Sequence, residues 1–135
     1  VVDEITYQTA EQYMMAQKAL LFNDNEIFHK IMRSKSPKEY KELGRKIKNF
    51  SDSKWNENKY QIVLKGNVAK FSQNERLKTF LLNTGTKVIV EASPYDKIWG
   101  IGLSADQENI ENPLTWNGEN LLGFALMEVR DSLNQ

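Results

Sequence analysis

The sequence predicts an α+β fold: a helix-rich single domain over residues 1–135 with a small β-sheet. Three observations carry that expectation. Apolar residues recur at spacings of three and four through most of the chain. Helix-capping patterns punctuate those stretches. One segment, KVIVEAS at residues 87–93, sets Lys87, Ile89 and Glu91 against Val88, Val90 and Ala92, the alternation of a half-buried strand. A chain of 135 residues can bury roughly two-thirds of its unfolded surface in one core.

Taken in order, VVDEITY reads as a short strand or extended lead-in. Thr9 followed by Gln12 is a capping-box pattern that opens a helix over residues 10–22. Asn23 and Asp24 break and recap it, and a second helix offers Ile27, Phe28, Ile31 and Met32 to the core. Ser36, Pro37 and Glu39 start a third, running toward Ile47 and Phe50, because Pro suits the first helical position. Asp52 or Ser53 caps a longer helix that carries Trp55, Tyr60, Ile62, Val63 and Phe71, with a bend expected near Gly66. NERLKTFLLNTG is a further helix stopped by Gly85. Residues 93–118 form the long irregular stretch, and a length like that in a compact domain points to function. An amphipathic helix on Leu121, Leu122, Ala125, Leu126, Val129 and Leu133 closes the chain.

Eighteen basic residues balance eighteen acidic ones, so phosphate binding is expected to be local rather than driven by an overall field. Without cysteine there is no disulfide framework, thiolate metal site or cysteine nucleophile, which fits a cytoplasmic protein. No apolar run reaches the roughly 20 residues a membrane span needs, so no membrane partner is expected. His29 stands alone, which argues against a transition-metal site, and no P-loop or Ser-His-Asp arrangement is present. No cofactor is expected.

The first helix raises a chemical question. At 100° per residue, Glu11, Met14, Met15, Lys18 and Phe22 fall on one stripe about 100° wide. Ala10, Tyr13, Gln17, Leu20 and Leu21 form a second centred about 120° away, so the helix is expected to be buried on most sides. Glu11 and Lys18 lie roughly 10 Å apart along the axis, too far for a simple helix ion pair. Either Lys18 snorkels its amine to water while Glu11 serves the helix dipole, or the amine is desolvated, partly neutral and nucleophilic. The irregular stretch poses a matching choice. YDKIWGIGL places Asp96 before Trp99, Gly100 and Gly102, and TWNGENLLG sets Trp116, Asn117, Gly118 and Asn120 at a helix start. Free N–H groups there would suit a phosphate or a sugar hydroxyl, with the two Trp stacking on a base or ribose. Alternatively, the glycines make a turn and the Trp side chains anchor it. Arg45 and Lys70 are either phosphate-binding charges or solvated surface, and Trp55 is a core aromatic by default.

YQTAEQYMMAQKA, LGRK, KW, AKF, LLNTG, VEAS, YDKIWGIGL and WNGENLLGFALMEVR, in that order and approximate spacing, resemble the NADAR (YbiA-like) family over Ile5 to Leu133. The chain departs from it at the front, where family members carry a FSNF-like motif, and its start at Val1 without Met suggests trimming. The resemblance implies an N-glycosidase that cleaves ribosyl–amine bonds. One implied substrate is ADP-ribosylated guanine in nucleic acid or nucleotide, with an ADP-ribosyltransferase toxin as an implied partner. Another is a ribosylamine of the phosphoribosylamino-pyrimidine kind, from riboflavin synthesis. Lys18 is then the implied Schiff-base lysine, with Glu11 and Asp96 as catalytic carboxylates. Trp55, Arg45, Lys70, Trp99, Gly100, Gly102 and Asn120 are implied to line the substrate pocket, joined by Trp116 and Gly118 of the TWNGENLLG turn. A module that binds NAD or ADP-ribose without chemistry is the rival of another class.

Overall fold

The computed structural model describes residues 1–106 and 110–134. It divides into two compact units, Val1–Lys70 and Phe71–Gln135.

The first unit is built on helices α1 (Ala10–Leu21), α2 (Asn25–Arg33), α3 (Pro37–Gly44) and most of α4 (Asp52–Gln73). Each of the first three starts on a side-chain cap. Thr9 accepts from the Gln12 N–H, Asp24 from Ile27 and Ser36 from Glu39, each satisfying a donor that helix geometry leaves over. Gln12 does more than complete the first cap. Its Oε1 accepts from the Gln8 N–H at 2.6 Å and its Nε2 donates to the Ile31 carbonyl at 3.2 Å, which ties α1 to α2. Asp24 likewise accepts from the Lys48 N–H at 2.9 Å, pinning the chain beyond α3 against the start of α2.

The deepest face of α1 passes through Gln12, Ala16 and Ala19, between the two stripes that the sequence singles out. Alanine leaves room for α2 and α3 to approach closely, so the small residues are buried and the larger ones flank them. Met15, Phe22, Ile27, Ile31, Tyr40 and Ile47 complete this core. Tyr13 packs its ring against Gly66 of α4, where an added Cβ would stand 2.5 Å from Tyr13 Cδ1. α4 starts at Asp52, one residue earlier than the capping pattern suggests, and Ser51 Oγ accepts from the Lys54 N–H. α3 stops at Gly44 rather than running to Ile47.

The second unit holds α5 (Glu75–Leu82), a single 3-10 turn (Pro113–Thr115) and α6 (Leu121–Leu133). Asn74 caps α5, and Gly85 at φ +62° follows its end. No strand forms among the described residues; an isolated bridge between Val2 and Ile5 is the nearest approach to one. Residues 87–92 find their partners elsewhere. The Asn120 side chain donates to the Ile89 carbonyl and accepts from the Glu91 N–H, both at 2.9 Å. Arg130, buried in α6, donates to the Lys87 carbonyl and to Thr84 Oγ1. Side chains of α6 and of the residue before it thus take the place of the neighbouring strand that alternation predicts. No described helix is long and apolar enough to cross a membrane.

Candidate functional site

Lys18 sits on the shoulder of the buried face of α1, half-buried. Its Nζ lies 4.7 Å from the centre of the Phe50 ring and 5.4 Å from that of Trp55. Phe50 packs in turn against Phe22 at a tilt of 59°, with ring centres 5.1 Å apart, and a second amine, that of Lys54, stands 5.5 Å from the centre of the Phe22 ring. Three aromatic faces and two amines therefore share one corner of the first unit. Burial is the main cause that pushes the Lys18 amine below its ordinary value of 10.5; the charge of Asp52 acts against it, and that of Arg45 acts with it. The aromatic faces favour the ammonium form and limit the fall. The result is an amine that gives up its proton more readily than a surface lysine.

Of the residues that the sequence marks in this unit, the structure gathers Lys18, Trp55 and Arg45. Glu11 turns to Lys41 instead, at 3.4 Å near the start of α1. Lys70 lies in the last turn of α4, roughly 22 Å along the axis from Trp55. Phe50 and Asp52 are the neighbours that sequence reading missed. Phe50 stood there as the apolar end of a helix and Asp52 as a cap, and no spacing rule links either to Lys18. Asn49 at φ +59° precedes Phe50. Asn tolerates that conformation, and an aromatic directly after an Asn, ahead of the α4 cap, is the available signal.

In the second unit, Asp96 Oδ1 accepts from the N–H groups of Trp99 (2.8 Å) and Ile98 (3.1 Å). The carboxylate thereby shapes the turn that carries Trp99. The segment after it is paired along its length. Carbonyls of Lys97, Ile98, Trp99, Gly100 and Ile101 accept from the N–H groups of Glu119, Leu121, Leu122, Asn120 and Asn117, respectively. The expectation of free N–H groups at the start of α6 is therefore corrected: those of Asn120, Leu121 and Leu122 are spent on the chain's own carbonyls. Asn120 is fully buried at φ +53° and holds residues 89–91, a clamp rather than a ligand-facing group.

The glycines follow the same logic. A Cβ on Gly118 would collide with the Gly100 carbonyl oxygen, and one on Gly100 would stand 2.7 Å from the Glu91 carbonyl oxygen. Gly102 takes φ +71°. Backbone approaching backbone accounts for Gly100 and Gly118, and the left-handed conformation for Gly102. Trp116 Nε1 donates to the Ile110 carbonyl at 2.8 Å, which makes this Trp an anchor for the loop, while Trp99 is half-buried.

Comparison with known proteins adds to this geometry. The profile of a family described as the NADAR domain matches residues 1–134. The chain is 52% identical over 129 residues to the "N-glycosidase R617" of Acanthamoeba polyphaga mimivirus, covering 96% of this chain and 76% of that one. It is similar to the solution structure of the Escherichia coli protein YbiA, with a TM-score of 0.79 and 33% identity, covering 98% of this chain and 71% of that one. A chloroplastic riboflavin biosynthesis protein of Zea mays, PYRR, is 31% identical over 97% of this chain, which matches a fifth of its length.

Proposed function

Because the chain belongs to the NADAR domain family, we propose that it is an N-glycosidase whose reactive centre is the amine of Lys18 and whose substrate is ADP-ribose joined to the amino group of guanine. The observation that carries this reading is the half-buried amine, lowered in basicity and set between Phe50 and Trp55. A structural lysine would gain cation–π attraction from the two rings but would not need its amine desolvated, and a sensor of free nucleotide has no need of a desolvated amine. Relatives that bear the name N-glycosidase support the bond type.

In the proposed reaction, the ribose attached to the guanine amine opens to an imine at C1. The neutral Lys18 amine adds to C1, and the guanine amine leaves as it takes up a proton. That leaves a Schiff base between Lys18 and the sugar. Water then adds to C1, restoring the lysine and freeing ADP-ribose, so the sum is one water consumed per N-glycosidic bond. Asp52 is the carboxylate whose charge reaches the amine and favours its ammonium form, against the effect of burial. Trp55 and Phe50 offer faces for the base or the ribose, and Arg45 offers charge for the pyrophosphate.

Borohydride added during turnover of an ADP-ribosylated guanine oligonucleotide should leave a ribosyl adduct on the peptide containing Lys18. Lys18→Ala should lower kcat about a thousandfold or more, and full turnover by that variant would remove the amine from the mechanism. The relative from riboflavin synthesis favours a second reading, in which the leaving amine belongs to a phosphoribosylamino-pyrimidine. Release of ribose 5-phosphate from that compound, with no ADP-ribose freed from modified guanine, would select it.

A further inference from the structure

The amine of Lys18 has aromatic faces where a half-buried cation ordinarily has a carboxylate. It makes no ion pair among the described residues. Its close neighbours are two rings, with the centre of Phe50 at 4.7 Å and that of Trp55 at 5.4 Å. Charges reach it from two sides. Asp52 at the start of α4 favours the ammonium, and Arg45 after α3 disfavours it. The Lys54 amine, also on α4, stands against Phe22, the ring next to Phe50. Trp55 packs against the core of the first unit, whereas Phe50 is 40% exposed. Phe50 follows Asn49, at φ +59°, in a turn that the bond from the Lys48 N–H to Asp24 pins. A ring this open, with a half-buried amine over it, can be reached from solvent.

We propose that Phe50 is a positioning residue: its ring holds the Lys18 amine in the empty site, and the purine of the substrate takes the amine's place against that ring and so frees it for attack. The proposal deepens the preceding one, since it rests on the reading that a base joined to ribose enters the Lys18 corner. Two groups compete for the ring. A cation is drawn to an aromatic face by the ring quadrupole, and a flat uncharged base is drawn to the same face by stacking. While the amine rests there, the ring favours the ammonium, which has no lone pair with which to add to C1. Once the base is stacked, the ammonium has lost that attraction and part of its remaining water, and both losses favour the neutral amine, with the proton released to solvent. Arg45 pushes the same way, and Asp52 opposes. The nucleophile is therefore generated when a bond is present for it to attack. Linkage gives the converse, that the base binds the neutral form more tightly than the ammonium.

The test needs no turnover, so its result is separate from that of any glycosidase assay. The lysines of the full chain are methylated with carbon-13 formaldehyde, and the Lys18 resonance, identified by its loss in Lys18→Arg, is titrated by NMR. The titration is run with and without saturating N1-methylguanosine, a guanine nucleoside with no N1 proton to lose. The nucleoside should lower the amine's pKa by about one unit and should bind about tenfold more tightly above that pKa than below it. Phe50→Leu should start from a lower pKa than the parent and lose most of the shift, and Phe50→Trp, which restores a face, should titrate as the parent does. A trifluorinated phenylalanine at position 50 keeps the ring's shape and weakens its face, so it too should start lower. Equal starting values in the parent and the trifluorinated chain would overturn the proposal, because shape would then suffice without the face. An unchanged or raised pKa with the nucleoside bound would overturn it as well, as would a failure of the nucleoside to bind. The expected shift in a chain that leaves ADP-ribosylated guanine intact would uphold the role of Phe50 and remove the substrate.

Discussion

Lys18 shows how one residue's environment sets its chemistry. Removing Arg45 takes away a charge that disfavours the ammonium, so Arg45→Ala should raise the amine's pKa and move the alkaline-rising limb of kcat against pH to higher pH. Asp52→Asn takes away the opposing charge and should move that limb to lower pH. Both variants are followed by pH–rate profiles on the same substrate, and shifts of the same sign would show that these charges do not act on the reactive group. The tension between burial and charge has a cost in stability as well. An amine with a lowered folded pKa binds protons more weakly folded than unfolded, so its penalty is present below the folded pKa and fades as pH rises toward the ordinary value of 10.5. Lys18→Met should therefore melt at a higher temperature than the parent near neutral pH, while losing activity. Gly118 makes a simpler case. With the Gly100 carbonyl in the space a side chain needs, Gly118→Ala should cost about 2–3 kcal/mol in urea unfolding.

At the scale of elements, helix starts were legible and backbone partners were not. Thr9, Asp24 and Ser36 announce their helices because a short polar side chain accepting from the backbone is a local event, written within four residues. Residues 87–92 alternate in sequence, but the burial that alternation predicts does not form, since Val88 is 62% exposed, and the partner here is Asn120 and Arg130, some 30 to 45 residues later. The start of α6 misled for a related reason. Its N–H groups are satisfied by carbonyls of residues 98–100, and a carbonyl has no sequence signature. The site divides in the same manner. Lys18, Trp55 and Arg45 stand out by residue type and motif, whereas Phe50 and Asp52 reach Lys18 only through the turn between α3 and α4. Asp24 tests this scale directly. It caps α2 and also accepts from the Lys48 N–H, so Asp24→Ala should cost about 2 kcal/mol. Those two backbone bonds hold its carboxyl below the usual 3.8, so the stability it contributes is complete above that value and is lost as pH falls through the folded pKa. The acid limb of a stability–pH curve should be correspondingly flatter in the variant.

Across the whole molecule, the family profile spans 1–134 and the helix-rich character read from periodicity is present, while the small sheet expected from residues 87–93 is replaced by side-chain clamps among the described residues. Composition misdirected most at this scale. A sum of zero hides a positive first unit and a negative second one, because a total keeps no record of position. The exposed cations of α2 and α3 carry a practical corollary for anyone handling the protein. At pH 6.8, its isoelectric point from sequence, bulk theory says that a sulfonate column should let the chain pass. The basic face should nonetheless hold it back until salt is applied, and an Arg33→Ala/Lys46→Ala variant should elute earlier in the same gradient.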